Sequence, residues 1–152
     1  MNPFLQTLVA GLGSLGFGVL FHIRGRKLAL ITVGGALSWA VYLAFGPVLP
    51  EEPIRYFLAA ATITILGEIV ARLEKTPTTT FLVPSIIPLI PGGALYYTMN
   101  YALNRKWADF AHQASYTLQL ATALALGIIA VTTGVRLLNA AIHKFRKTKA
   151  LR

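Results

Sequence analysis

The sequence contains no cysteine and few charged residues. Without cysteine, none of the 152 residues can form a disulfide bond, act as a thiolate or supply a cysteine ligand to a metal. Charged residues make up 12% of the chain, against about 25% in an ordinary soluble domain, whereas 55% of the residues are hydrophobic. This composition predicts an integral membrane protein.

Groups that carry out chemistry are also scarce. His22 and His143 fall at one predicted side of the membrane and His112 at the other, so the three histidines do not form a metal set. The sequence shows no nucleophile with a nearby base, no paired carboxylates and no glycine-rich phosphate loop after a strand. We therefore expect no enzyme, no cofactor, no metal site and no nucleotide-driven pump.

The formal net charge of +9 raises nucleic acid as a partner, but the positive residues stand at the ends of apolar blocks. Basic residues in that position orient a protein in the lipid bilayer. Because there is also no nucleic-acid recognition motif, the sequence predicts a bilayer protein with no nucleic-acid partner.

What the sequence has instead is a series of apolar blocks. Crossing about 30 Å of hydrocarbon takes about 20 residues of helix. The predicted helices cover residues 3–22, 28–45, 54–73, 81–104 and 111–138. The fold class is therefore all-α, with about five transmembrane helices in one domain over residues 1–143 and a basic cytoplasmic tail over residues 144–152. In the first helix Ala10, Ser14 and Gly18 recur every four residues, which indicates close packing on a neighbouring helix.

The fourth block is broken between Pro84 and Gly93, where three prolines and a glycine pair interrupt it. Each proline lacks an N–H group and frees the carbonyl of the preceding turn. Non-helical backbone within a membrane is tolerated where protein buries it or water lines it. The segment is thus either a packed kink or the wall of a binding site. Counting about 1.5 Å per residue from Phe81 places the break near mid-membrane.

A half-helix that starts at Gly93 would point free N–H groups at the break, where they suit a carboxylate, and the freed carbonyls would accept from an ammonium or another cation. Tyr96 and Asn100 could add polar contacts, although tyrosines near a helix end also serve as interface anchors. The predicted substrate-binding residues are Pro84, Pro88, Pro91, Gly92, Gly93, Tyr96 and Asn100.

Glu68 is the one carboxylate well inside an apolar block, and Arg72 follows on the same helix face. Intramembrane carboxylates are expensive and mark functional sites by default. The two residues either form an ion pair that anchors the helix end or act as a proton-coupling or gating group. The sequence does not choose between the anchoring role and the coupling or gating role.

Residues 81–96, with the core Pro88-Leu89-Ile90-Pro91-Gly92-Gly93, resemble the C-terminal membrane half of the threonine/serine exporter family, in particular its small split subunit. Similarity extends to Gly18–Phe21, Gly35–Trp39 and Gly67–Arg72. The resemblance implies a multi-pass protein of the bacterial inner membrane that works with a larger exporter subunit on a separate chain. The implied substrates are small amino acids or small carboxylates such as dicarboxylates.

Two other functions remain compatible with the sequence. In the first, the chain is a non-transporting assembly subunit, the break is a packed hinge and the partner makes all substrate contacts. In the second, the chain is a homo-oligomeric channel, which the lack of charged residues along one helix disfavours.

The distribution of positive residues predicts the N-terminus outside and the C-terminus in the cytoplasm. In this orientation 11 of the 14 Lys and Arg residues lie inside. A reporter fused at residue 2 should therefore read as external in intact cells, and a cytoplasmic reading would contradict the prediction.

Overall fold

The computed structural model describes the backbone of residues 2–150 and the side chains of residues 2–142. The helices are α1 Pro3–Leu20, α2 Arg26–Ala44, α3 Glu52–Glu74, α4 Thr78–Ile86, α5 Gly92–Leu103 and α6 Trp107–Ala150. A 3-10 turn, Ile87–Leu89, joins α4 to α5. The predicted all-α membrane fold with a broken fourth segment is confirmed. The side chains of His143 and of the predicted tail at 144–152 lie outside the described residues.

Helix α3 begins earlier than the sequence predicts. It starts at Glu52 rather than at residue 54, with Pro53 in its first turn. Proline suits that place because the first N–H groups of a helix have no intrahelical partner. As a result Glu52, which the sequence placed in an acidic loop, belongs to a membrane helix.

The bent pair α4 and α5 counts as one crossing of the bundle. Four helices are long and apolar enough to span, and α4 with α5 forms a fifth candidate bent by 57°. Helix α6 runs parallel to α3, because Tyr116 contacts Glu52 at the start of α3 and Asn139 contacts Arg72 near its end. One crossing must therefore lie between α3 and α6, so the bundle has five.

Helix α4 packs between α2 and α3 and forms the centre of the core. Gly34 on α2 faces Phe81 and Ser85, and Gly67 on α3 faces Phe81. The buried apolar residues of this core are Ile31, Tyr56, Ala59, Ala60, Ile63, Phe81, Leu82, Ile86, Leu89 and Leu120. Small residues on α2 and α3 thus admit a short helix that contains a proline.

Helix α1 packs on α2 through Gly11, Ser14 and Gly18, all of which are buried. A Cβ atom on Gly35 would lie 1.8 Å from Ser14 Oγ, which shows how closely the two backbones approach. The predicted packing role of the small residues in α1 agrees with these contacts. The opposite face of α1 exposes large apolar side chains such as Phe4 and Leu12, which hydrocarbon would cover.

We expect Gly35→Ala to destabilise the bundle by about 1–3 kcal/mol, because the added methyl overlaps Ser14 and the two helices must separate. Unfolding in mixed detergent micelles measures this difference. Gly13→Ala is the matched control, since a Cβ atom at Gly13 meets nothing within 4 Å. Equal stability of the two variants would contradict the close α1–α2 contact.

Candidate functional site

Backbone groups within the break between α4 and α5 form hydrogen bonds with one another. Ile90 is extended, with φ −64° and ψ 124°, and its N–H donates to the Ile87 carbonyl at 3.0 Å. That carbonyl is one of those freed by the prolines. The Gly92 N–H in turn donates to the Ile90 carbonyl at 2.6 Å.

On the α4 side, the break is a packed kink. Ser38 Oγ on α2 lies 2.8 Å from the Gly35 carbonyl and 3.1 Å from the Ser85 carbonyl, and it can donate to either. Both serines are fully buried. The neighbouring helix therefore offers a hydrogen-bond donor to a carbonyl in the last turn of α4.

On the α5 side, the break opens onto a cavity of about 380 Å³, within the range of small-molecule sites. Its lining residues are Trp39, Glu52, Tyr56, Pro88, Ile90, Pro91, Gly92, Gly93, Ala94, Tyr97, Gln113, Tyr116 and Leu120. A Cβ atom on Gly92 or Gly93 would meet nothing within 4 Å. Among the described residues, the Gly93 and Ala94 N–H groups have no hydrogen-bond partner. These two donors stand at the positive end of the α5 dipole.

Glu52 is the carboxylate of this cavity, and two tyrosines hold it. The Tyr42 hydroxyl donates to Oε1 at 2.5 Å, and the Tyr116 hydroxyl donates to Oε2. Within residues 2–142 the one ion pair joins Arg26 to Glu74, so Glu52 has no cation within 4.0 Å.

Arg55 stabilises the same end of the bundle through an aromatic ring. Its guanidinium carbon lies 5.0 Å from the centre of the Tyr42 ring, a cation–π distance. Tyr42 also packs edge-on against Tyr56, with ring centres 5.2 Å apart. Tyr42 therefore connects a positive group on its face to the Glu52 carboxylate at its hydroxyl.

The packing places the break relative to the neighbouring helices, and its mid-membrane depth stays a prediction. The α3 residues that line the cavity are Glu52 and Tyr56, both in the first two turns of a 23-residue helix about 34 Å long. The break therefore lies near one end of α3. Helix α4 starts beside Gly67 and Glu68, inside the span of α3, and α5 continues for 12 residues beyond the break.

Some of the predicted binding residues line this cavity, and the others lie elsewhere. Pro88, Pro91 and the glycine pair line the cavity, whereas Pro84 is fully buried in the core. Tyr96 is 65% exposed, and its neighbour Tyr97 lines the cavity instead. Asn100 lies near the far end of α5, where its side chain accepts from Asn104 Nδ2 at 2.9 Å.

Glu68 and Arg72 do not pair with each other. Glu68 accepts a hydrogen bond from Thr78 Oγ1 at 3.1 Å, and Arg72 Nη2 donates to Asn139 Oδ1 at 3.3 Å. The anchoring ion pair considered from the sequence is therefore absent from the described residues. The two side chains instead tie α3 to the start of α4 and to α6, several turns from the cavity.

Glu52, Tyr116 and Gln113 were missed as site residues. A glutamate next to proline after a turn-rich loop is easily taken for a loop residue. Tyr116 lies 64 positions from Glu52 in the sequence. The available signal was a helix-capable Glu52 followed by Arg55 and Tyr56 at the start of an apolar block. Only the parallel packing of α3 and α6 brings these side chains together.

The geometry defines a multi-pass helical membrane protein with a ligand-sized cavity at a broken span, an arrangement typical of membrane transporters. A family model described as "Threonine/Serine exporter, ThrE" matches residues 6–133. The chain therefore belongs to the threonine/serine exporter family, which is a family of membrane exporters and not an enzyme class. Comparisons with curated proteins and with solved structures gave no match.

Removing one tyrosine hydroxyl from Glu52 should weaken the bundle. We expect Tyr116→Phe to lower the free energy of unfolding by about 1–3 kcal/mol, because a carboxylate oxygen loses its donor. Chemical denaturation in detergent micelles measures the loss. Tyr96→Phe is the control, since this exposed tyrosine has no hydrogen bond among the described side chains. A similar loss of stability there would contradict a stabilising role for the Tyr116–Glu52 hydrogen bond.

Proposed function

We propose that this chain is the membrane subunit of a two-component exporter, and that its substrate binds in the cavity at the α4–α5 break. The substrate is a small amino acid or a small carboxylate such as a dicarboxylate. The observation that carries the proposal is the pair of unpartnered N–H groups at Gly93 and Ala94 facing a cavity of ligand size.

A substrate carboxylate fits the start of α5 for two reasons. Backbone N–H groups at a helix start are hydrogen-bond donors, and the helix dipole adds positive potential there. Gly92 and Gly93 have no side chain, so a ligand can approach the backbone directly. Tyr97 and Gln113 supply further polar groups from two sides of the cavity.

A second subunit completes the transporter in this proposal. Within the described residues the cavity has walls from α2, α3, α5 and α6, while α1 has no residue in its lining. Helix α5 leaves Leu95, Met99 and Leu103 exposed, which gives a larger subunit of the same family an apolar surface beside the site. The assembly lies in the bacterial inner membrane, with the chain's N-terminus outside and its C-terminus in the cytoplasm.

Glu68 and Arg72 are proposed as the coupling or gating groups. Their bonds to Thr78 and Asn139 tie α3 to the start of α4 and to α6, at the other end of α3 from the cavity. An alternating-access movement of these helices would have to break the bonds. Protonation of Glu68 would weaken the hydrogen bond that it accepts from Thr78, which offers a route to proton coupling.

The packed α4 side of the break favours one competing function, that of an assembly subunit. Ser38 provides a donor for the kink, so this half could serve as a rigid hinge with no substrate contact. The two functions differ in what the α5 side does. Its open backbone is needed for transport and is dispensable for assembly.

Reconstitution into vesicles separates them. We expect substrate efflux from the chain with its larger subunit and none from the chain alone. Efflux should fall about tenfold or more with Gly93→Leu, which adds a large side chain at a residue that lines the cavity. Pro91→Ala should also reduce efflux by changing the bend.

Gly16→Leu is the matched control, because Gly16 is exposed on α1 and a Cβ atom there meets nothing within 4 Å. Efflux from the chain alone would exclude the two-component arrangement. Full efflux with both Gly93→Leu and Pro91→Ala in an intact complex would favour the assembly function.

A further inference from the structure

We propose that Glu52 binds the ammonium group of the substrate and so makes the cavity selective for zwitterionic amino acids over dicarboxylates. This inference rests on the proposed function, in which the substrate carboxylate meets the start of α5. It adds a second binding group and decides between the two substrate classes left open above.

The hydrogen bonds of Glu52 leave it able to accept more donors. An ionised carboxylate accepts about four hydrogen bonds and donates none. Tyr42 donates to one oxygen and Tyr116 to the other. The remaining lone pairs are free for a third donor, and the two hydroxyls fix the orientation of the group.

No described side chain forms an ion pair with Glu52. Arg55 is one turn further along α3, but its guanidinium packs on the Tyr42 ring and does not line the cavity. Within residues 2–142 no Lys or Arg reaches Glu52 within 4.0 Å. A bound ammonium would supply the missing positive charge, in a setting less polar than water where such a contact is strengthened.

The cavity lining therefore offers partners for both signs of charge. Gly93 and Ala94 offer N–H donors, and Glu52 is the one carboxylate among the lining residues that the structure describes. An α-amino acid carries both a carboxylate and an ammonium group, one for each of these partners. A dicarboxylate would bring its second negative charge towards Glu52 with no Lys or Arg in the lining to receive it.

The test compares two substrates that differ only in the ammonium group. Vesicles containing the chain and its larger subunit are loaded with labelled L-threonine and labelled 3-hydroxybutyrate, which has the same carboxylate and hydroxyl. The quantity measured is the ratio of the two efflux rates at low concentration. The wild-type complex should prefer threonine.

We expect Glu52→Gln to lower that ratio about ten- to a hundred-fold, because a charge-assisted contact is lost with threonine alone. Glu51→Gln is the matched control, since its neighbouring carboxylate is exposed and lines a different groove with Ser115 and Gln119. Glu52→Asp keeps the charge on a shorter side chain and should retain part of the preference, which also covers the case in which Glu52→Gln fails to fold.

The outcomes separate this inference from the proposed function. If Gly93→Leu stops efflux of both substrates while Glu52→Gln and Glu52→Asp leave the ratio unchanged, the site is correct and the role of Glu52 is wrong. If Gly93→Leu has no effect on either substrate, the site itself is wrong. Wild-type efflux of 3-hydroxybutyrate or succinate as fast as threonine would also overturn the selectivity.

Discussion

In hydrocarbon, a backbone N–H or C=O group without a partner costs several kcal/mol, and the segment from Pro84 to Gly93 is organised by that constraint. Three prolines remove donors from a helix that must still cross the membrane. On one side the break is packed: the Ile90 N–H donates to the freed Ile87 carbonyl, and the buried Ser38 hydroxyl reaches the Ser85 carbonyl in the last turn of α4. On the other side it leaves the first N–H groups of α5 facing a cavity. A packed half and an open half thus meet within one bent span.

The small residues of the neighbouring helices make the packed half feasible. Gly34 lets Phe81 and Ser85 approach the α2 backbone, and Gly67 does the same on α3. In lipid, such contacts rely on close van der Waals packing and interhelical hydrogen bonds, since hydrocarbon removes the hydrophobic drive between helices. Glycine has a different role on the α5 side of the break. Gly93 has no neighbour within 4 Å of a Cβ position, so it exposes backbone to a ligand where Gly34 exposes backbone to another helix.

The open half acquires its chemical character from Glu52. A carboxylate in a membrane helix is expensive unless donors or cations surround it. Tyr42 and Tyr116 provide the donors, while Arg55 remains on the Tyr42 ring. The carboxylate is therefore held by two hydrogen bonds and has no ion-pair partner among the described side chains. The proposed zwitterion site combines this carboxylate with the helix-start N–H groups of residues that line the same ligand-sized cavity.

The sequence by itself determined the membrane class, the all-α fold, the broken fourth span and the family, because apolar block length and proline chemistry act locally along the chain. It also identified Pro91, Gly92 and Gly93 as backbone that needs a partner. The tertiary structure alone decided which end of α3 the break packs against, that Tyr97 and not Tyr96 lines the cavity, and that Glu68 and Arg72 have separate partners. It alone brought Glu52 to Tyr116, since that contact depends on the parallel register of α3 and α6. Helix register is set by side-chain packing between distant segments, and no local pattern encodes it.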